Sequence, residues 1–150
     1  MAIVKYIVGF DGLARALARV AIEEPIVIEE CMRLSSGIMK ENVKKTIGDV
    51  SKLKALAQYT QDERVALNFS ANEPLYRSGE MLRDHIESTH TPTTASVGSA
   101  EPVQLYSETG SINVKFNTTN PPRPALKLGC LSSEKEVVTV FESGIGILLR

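Results

Sequence analysis

Between Pro25 and Ile47 the apolar residues Ile28, Met32, Met39, Val43 and Ile47 recur at spacings of four and seven, which places them on one face of an α-helix. A strand with that pattern would turn half of its apolar residues into water. The chain is therefore committed to at least one long amphipathic helix. Pro25 has no amide hydrogen to donate and crowds the preceding turn, so it either starts a second helix or kinks the first; the favoured reading is a new helix from about Pro25 to Ile47, with Gly48 ending it. Glu29, Glu30, Arg33, Lys40, Glu41, Lys44 and Lys45 fall on its solvated side.

Ahead of this helix, Ile3, Val4, Tyr6, Ile7 and Val8 form a β-prone run that ends at Gly9. Asp11 is placed to cap a following helix, whose apolar row is Leu13, Leu17 and Val20. The first ten residues carry one lysine and no small-residue cleavage site, so they are not read as a signal peptide. No apolar stretch approaches the ~20 residues needed to span a bilayer.

Residues 49–76 read as a long loop or insertion. Lys52 to Tyr59 has the pattern of a short helix through Leu53, Leu56 and Ala57, and Thr60 to Glu73 is polar enough for a loop. Tyr59, Phe69, Leu75 and Tyr76 are candidates for a lid on the core or for contact with a neighbour. Ser78 is a suitable N-cap for a short helix held down by Met81, Leu82 and Ile86.

Threonine and serine dominate His90 to Ser99, with Pro92 inside, which suits an edge strand or a hairpin arm. Ser111 to Thr118 alternates Ile112, Val114 and Phe116 with Asn113, Lys115 and Asn117, as a strand with one buried face would, and Asn120-Pro121-Pro122 stops it. Ser133 and Glu136 have capping-box spacing ahead of Val137, Val140, Phe141 and Ile145. Gly144 and Gly146 weaken that last helix. The 150 residues suffice for one core. The expected fold is α+β: a single domain in which a small, mostly antiparallel sheet packs against two or three helices.

Charge and reactive groups narrow the function. Seventeen basic against eighteen acidic residues leave a net charge of -1, so no basic field exists to hold nucleic acid or an anionic membrane. Two cysteines, Cys31 and Cys130, are too few for a disulfide framework and fit a reducing cytoplasm; Cys31 lies within the helical pattern as a buried thiol. His85 and His90 are five residues apart across a helix end, which is not a metal-pair spacing. Ser107-Glu108-Thr109-Gly110 lacks the preceding glycine of a nucleophile elbow, and Gly9-x-x-Gly12 lacks the length and the lysine of a phosphate loop. No catalytic residue, cofactor or metal is expected.

Three short elements carry a family likeness: Arg77-Ser78-Gly79-Glu80-Met81-Leu82-Arg83, Tyr106-Ser107-Glu108-Thr109-Gly110, and Pro121-Pro122-Arg123-Pro124-Ala125-Leu126. Taken in this order with the glycine-aspartate turn at Gly9-Phe10-Asp11-Gly12-Leu13 that is expected to open the first helix, the series resembles the tail-completion (neck) proteins of long-tailed bacteriophages, which often carry a threonine- or serine-glycine-x-leucine-arginine step, a tyrosine-to-glutamate-x-glycine step and a proline-arginine-proline step. Met81 is an additional residue in the first step, and Ala125 stands where the relatives usually have phenylalanine. The resemblance implies a virion protein, assembled in the host bacterial cytoplasm, that performs no reaction. It implies a ring of six or twelve copies joining the portal-connector complex to the tail tube, meeting head-tail connector or adaptor proteins on one side and tail terminator or tail tube protein on the other. DNA would pass through the lumen without specific binding. A tail terminator is the alternative within assembly proteins, and a small hydrolase or toxin-like nuclease the alternative outside them. Ser78, Gly79, Leu82, Arg83, Tyr106, Glu108, Gly110, Pro122, Arg123 and Pro124 are the motif or interface residues this implies. Arg123, between two φ-restricted prolines, is expected to offer its fork of donors to a carboxylate such as Glu108, across a subunit boundary or within its own chain. Gly110 is expected at positive φ. Self-association is expected through residues 49–76 or the 89–97 arm.

Overall fold

A computed structural model describes residues 2–75, 85–114 and 117–148. Its largest element is α1, Ala2–Thr46, which runs without interruption through both the β-prone run and Pro25. Three expectations are thereby corrected: Ile3 to Val8 is helical, Gly9 to Leu13 lies within the helix instead of forming a turn that opens one, and no new helix begins at Pro25. β-Branched residues lower helix propensity by only tenths of a kcal/mol each, too little to break a helix that offers every amide a local partner when no neighbouring strand does. The proline deprives the Ala21 carbonyl of its usual donor, and the helix passes over that defect. It ends as the sequence predicts, with Lys44 and Lys45 in the last turn and Gly48 at φ 89°, the left-handed turn that glycine supplies at low strain.

The core lies at this end of α1. Val43 and Ile47 are fully buried and cluster with Leu53, Ile86 and Ala125. Against them packs α4, Ala125–Ser132, at a distance set by Gly129. A Cβ there would stand 2.5 Å from the Cα of Val43, so the two backbones touch. α5, Glu134–Leu148, follows at once and runs back along α1. The Asn42 amide donates to Ser133 Oγ at 3.1 Å and to Glu136 Oε1 at 3.0 Å, while Ser133 Oγ donates to the Gly129 carbonyl at 2.8 Å. The Ser133/Glu136 pair thus ties α5 to α1 instead of closing a capping box. Further along, Gly144 is buried against Cys31 and Val27. It is a packing glycine, not a point of fraying. Val137, Val140 and Phe141 are half-buried as expected, and Ile145 is exposed.

The strands form two separate ribbons. β1, Glu87–Thr91, pairs antiparallel with β2, Thr94–Gly98, in the register Glu87 with Gly98 and Thr91 with Thr94. This is the hairpin expected from the Thr/Ser-rich stretch, with Pro92 in its turn where no ladder bond is lost. β3, Ser111–Asn113, pairs with β4, Thr118–Asn120. The single strand expected over Ser111 to Thr118 instead folds on itself, with Asn117 at φ 47°. Ile112 and Val114 are 71% and 87% exposed, so the alternation does not mark a buried face. Lys115 and Phe116 lie outside the described residues. The architecture is α+β in one domain, with five helices and two two-stranded antiparallel ribbons among the described residues.

In the chain between α1 and β1, the short helix α2 covers Gln58–Ala66, several residues later than the Lys52 to Tyr59 helix expected. Much of the expected Thr60 to Glu73 loop is therefore helical. Arg64 decides this: its buried guanidinium donates to the Ser70 carbonyl at 2.8 Å and the Glu73 carbonyl at 3.3 Å, closing the chain after α2 on itself. Leu53 enters the core and Leu75 packs beside it. Tyr59 points into solvent and is not a core lid; Tyr76 lies outside the described residues.

Candidate functional site

The remaining helix, α3 (Pro102–Thr109), delivers the second motif step, and the irregular chain before α4 delivers the third. They meet. Gly110 ends α3 at φ 80° and ψ 168°, a conformation strained for any side chain. A Cβ there would lie 2.8 Å from the Asn120 carbonyl oxygen and 3.2 Å from the Pro122 ring. The Arg123 amide donates to the Ser107 carbonyl at 2.7 Å. Glu108 then reaches the start of α4: its carboxylate accepts from the Leu126 amide at 2.7 Å and the Lys127 amide at 3.4 Å. The residue in the N-cap position is Pro124, which offers no side-chain acceptor. Glu108 therefore satisfies orphan amides that a local cap would otherwise take, at the helix end that favours negative charge.

Arg123 does not pair with Glu108. Its Nε donates to the Lys54 carbonyl at 2.8 Å and Nη2 to the Ala55 carbonyl at 3.1 Å. The planar fork bridges two successive carbonyls of the segment after α1, so it pins its own chain. Burial pulls its pKa below the usual guanidinium value, and the two carbonyls supply acceptors in place of lost water. Tyr106 stays exposed on the rim of a cleft of about 230 Å³ that Leu75, Asn120 and Arg123 also line. The first motif step, with Ser78, Gly79, Leu82 and Arg83, lies outside the described residues.

Groups that would carry chemistry stand apart. His85 and His90 are both exposed, and His85 Nδ1 lies 3.6 Å from Glu101. Among the described residues no three His, Cys, Asp or Glu gather as a metal site, and no described helix is long and apolar enough to cross a membrane.

A second surface has no counterpart in the sequence reading. Between α1 and α5 runs an open groove of about 410 Å³, lined almost wholly by apolar atoms, among them Ile26, Val27, Leu34 and Ile147. Ile26, Leu34 and Ile147 are 69%, 40% and 59% exposed. Cys31 forms part of its wall, itself buried, and its thiol is directed at the Val140 carbonyl at 3.7 Å. Burial raises that thiol's pKa, and the charge of neighbouring Glu30 raises it further. The available signal was that Ile26 and Leu34 fall outside the Ile28, Met32, Met39 and Val43 row, leaving apolar side chains with no core to face.

No family model, no curated protein and no solved structure matches this chain.

Proposed function

We propose that this chain is a structural neck protein of a long-tailed bacteriophage or prophage. Its copies form a ring between the portal-connector complex and the tail tube, complete the tail, and perform no reaction. The observation that carries the reading is the interlock of two motif steps. Tyr106 to Gly110 and Pro122 to Leu126 are joined by the Arg123–Ser107 and Glu108–Leu126 hydrogen bonds and by the close approach of Gly110 to Pro122. Glutamate, glycine and arginine are each used there for shape, which is what a fixed building block needs and what a reaction centre does not.

The mechanism is geometric. Identical subunits meet through a heterologous contact that closes when the rotation per copy divides the circle. The net charge of -1 suits a lumen that lets DNA slide, since a strongly cationic wall would retain the phosphates. Connector or adaptor proteins on the head side and terminator or tube proteins on the tail side are the partners this role requires, and the virion neck is the location. The test is the mass of the purified chain across concentration together with complementation of a phage lacking its tail-completion protein. Rings, and rescue that Gly110→Val abolishes to leave full heads and free tails, are expected. A chain that stays monomeric and fails to rescue would refute the role.

A further inference from the structure

Arg123 uses only part of its guanidinium within the chain. Nε donates to the Lys54 carbonyl and Nη2 to the Ala55 carbonyl. Nη1 and the second hydrogen of Nη2 form the other edge of the fork, and they meet no acceptor among the described residues. The positive charge is likewise unmatched there: both partners are neutral carbonyls. Glu108, the carboxylate of the adjoining motif step, is taken up by the Leu126 and Lys127 amides. The acidity of the guanidinium agrees, since burial pulls its pKa down and no carboxylate pushes it back up.

Arg123 is also a wall of a cleft of about 230 Å³, together with Leu75, Tyr106, Ser111, Asn120 and Pro121. Ser111 Oγ accepts from the Asn120 amide at 3.2 Å, so its hydroxyl proton is left to donate elsewhere. The Tyr106 hydroxyl bonds to no described residue. A neutral polar ligand would need acceptors as well as donors from such a lining. Here the unspent groups are chiefly donors and one of them is charged, which is the lining an anion requires. The free edge of a guanidinium presents parallel N–H groups in one plane, and a planar carboxylate matches it fork to fork.

We propose that this cleft is a carboxylate-binding site: it takes an aspartate or glutamate side chain of the protein docked against the subunit, with Arg123 holding the two oxygens and the Ser111 and Tyr106 hydroxyls adding donors. This deepens the neck-protein reading and rests on it only for the identity of the docked protein. The two edges of one side chain then serve two ends. One pins the Lys54–Ala55 segment in its own chain, and the other receives a partner.

The test uses the full-length chain labelled with nitrogen-15, probed at constant ionic strength with a blocked Gly-Glu-Gly peptide, its Gly-Gln-Gly counterpart and inorganic phosphate. Chemical shifts of the Arg123 Nε–H group and of the Ser111 and Asn120 amides are followed. The glutamate peptide is expected to give saturable shifts confined to the cleft, and the glutamine peptide none. Tyr106→Phe/Ser111→Ala leaves Arg123 and both of its carbonyl bonds in place; it is expected to bind the glutamate peptide about tenfold more weakly with an unchanged melting temperature, because neither hydroxyl donates within the described fold. Absence of saturable shifts, equal shifts from the glutamine peptide, or unchanged affinity in the double variant would overturn the inference. Preference for phosphate over the glutamate peptide would overturn it too, by assigning the charge to another anion. Rings that form and rescue while the cleft binds nothing would leave the neck-protein reading standing; a chain that binds the glutamate peptide yet never assembles would remove that reading alone.

Discussion

The Glu108 carboxylate accepts a hydrogen bond from the amide of Leu126 at 2.7 Å, across eighteen residues of sequence. A helix is thus capped by a side chain on a different helix, and the orientation of α4 depends on that of α3. Because α4 is in backbone contact with α1 at Gly129 and Val43, the same carboxylate links the motif region to the core.

Glu108→Ala is expected to lower stability by about 1–2 kcal/mol, the usual effect of removing a helix cap. Glu108→Gln should recover part of it, since one amide oxygen still accepts but without the charge that favours the helix start. Urea unfolding with an unchanged denaturant slope checks this; a loss below about 0.3 kcal/mol for Ala would show that water replaces the carboxylate freely.

Arg123→Ala should weaken the fold, not only assembly, by about 1–3 kcal/mol, because two backbone carbonyls lose a charged donor. Arg123→Lys should restore less than half, since one ammonium does not span the Lys54 and Ala55 carbonyls as the fork does. Melting temperature and ring yield should fall together. A variant with wild-type melting and no rings would place the arginine at a subunit boundary.

Gly144→Ala should be destabilising by about 1–3 kcal/mol through overpacking, since its Cβ would meet Cys31 Sγ at 2.6 Å. In a Cys31→Ala background most of that penalty should vanish, giving a coupling of about 1 kcal/mol or more in a double-mutant cycle. Additive effects would mean that Val27, 3.2 Å from the same point, sets the limit instead.

The thiols set an alkaline limit. Burial raises the pKa of both Cys31 and Cys130, with Glu30 and Glu108 adding to the respective shifts. A raised folded pKa means that the folded state holds its protons longer than the unfolded chain. Stability is then fully present below the unfolded thiol value of about 8.5 and falls as pH rises from there towards the folded values. Denaturant midpoints from pH 7 to pH 10 should show this decline, and Cys31→Ala/Cys130→Ala should flatten it. An identical slope in both proteins would assign the decline to other groups.

Part of this molecule is legible in its sequence for local reasons. The end of α1 follows from Gly48, the first hairpin from a Thr/Ser run broken by Pro92, and the turn at Gly110 from glycine's access to positive φ. Burial of Val43, Ile47 and Cys31 follows from helical period. What misleads is apolar character without a partner. Ile3 to Val8 has the composition of a strand, yet a strand is made by its neighbour and these residues are helical; Ile112 does pair in a ribbon, but with Val114 it stands in solvent, because alternation does not say whether a core lies beneath. The partners of Arg123 and Asn42 are illegible for a related reason: each bonds to residues far along the chain, so only the assembled fold brings donor and acceptor together.

Pro25 leaves the Ala21 carbonyl without its helical donor in the middle of a 45-residue helix, so α1 is easiest to bend at that turn. Pro25→Ala would restore the hydrogen bond and stiffen the helix there, and the hydrogen-exchange protection of the amides around that turn, rather than the melting temperature of the core at the far end, is the property it should change.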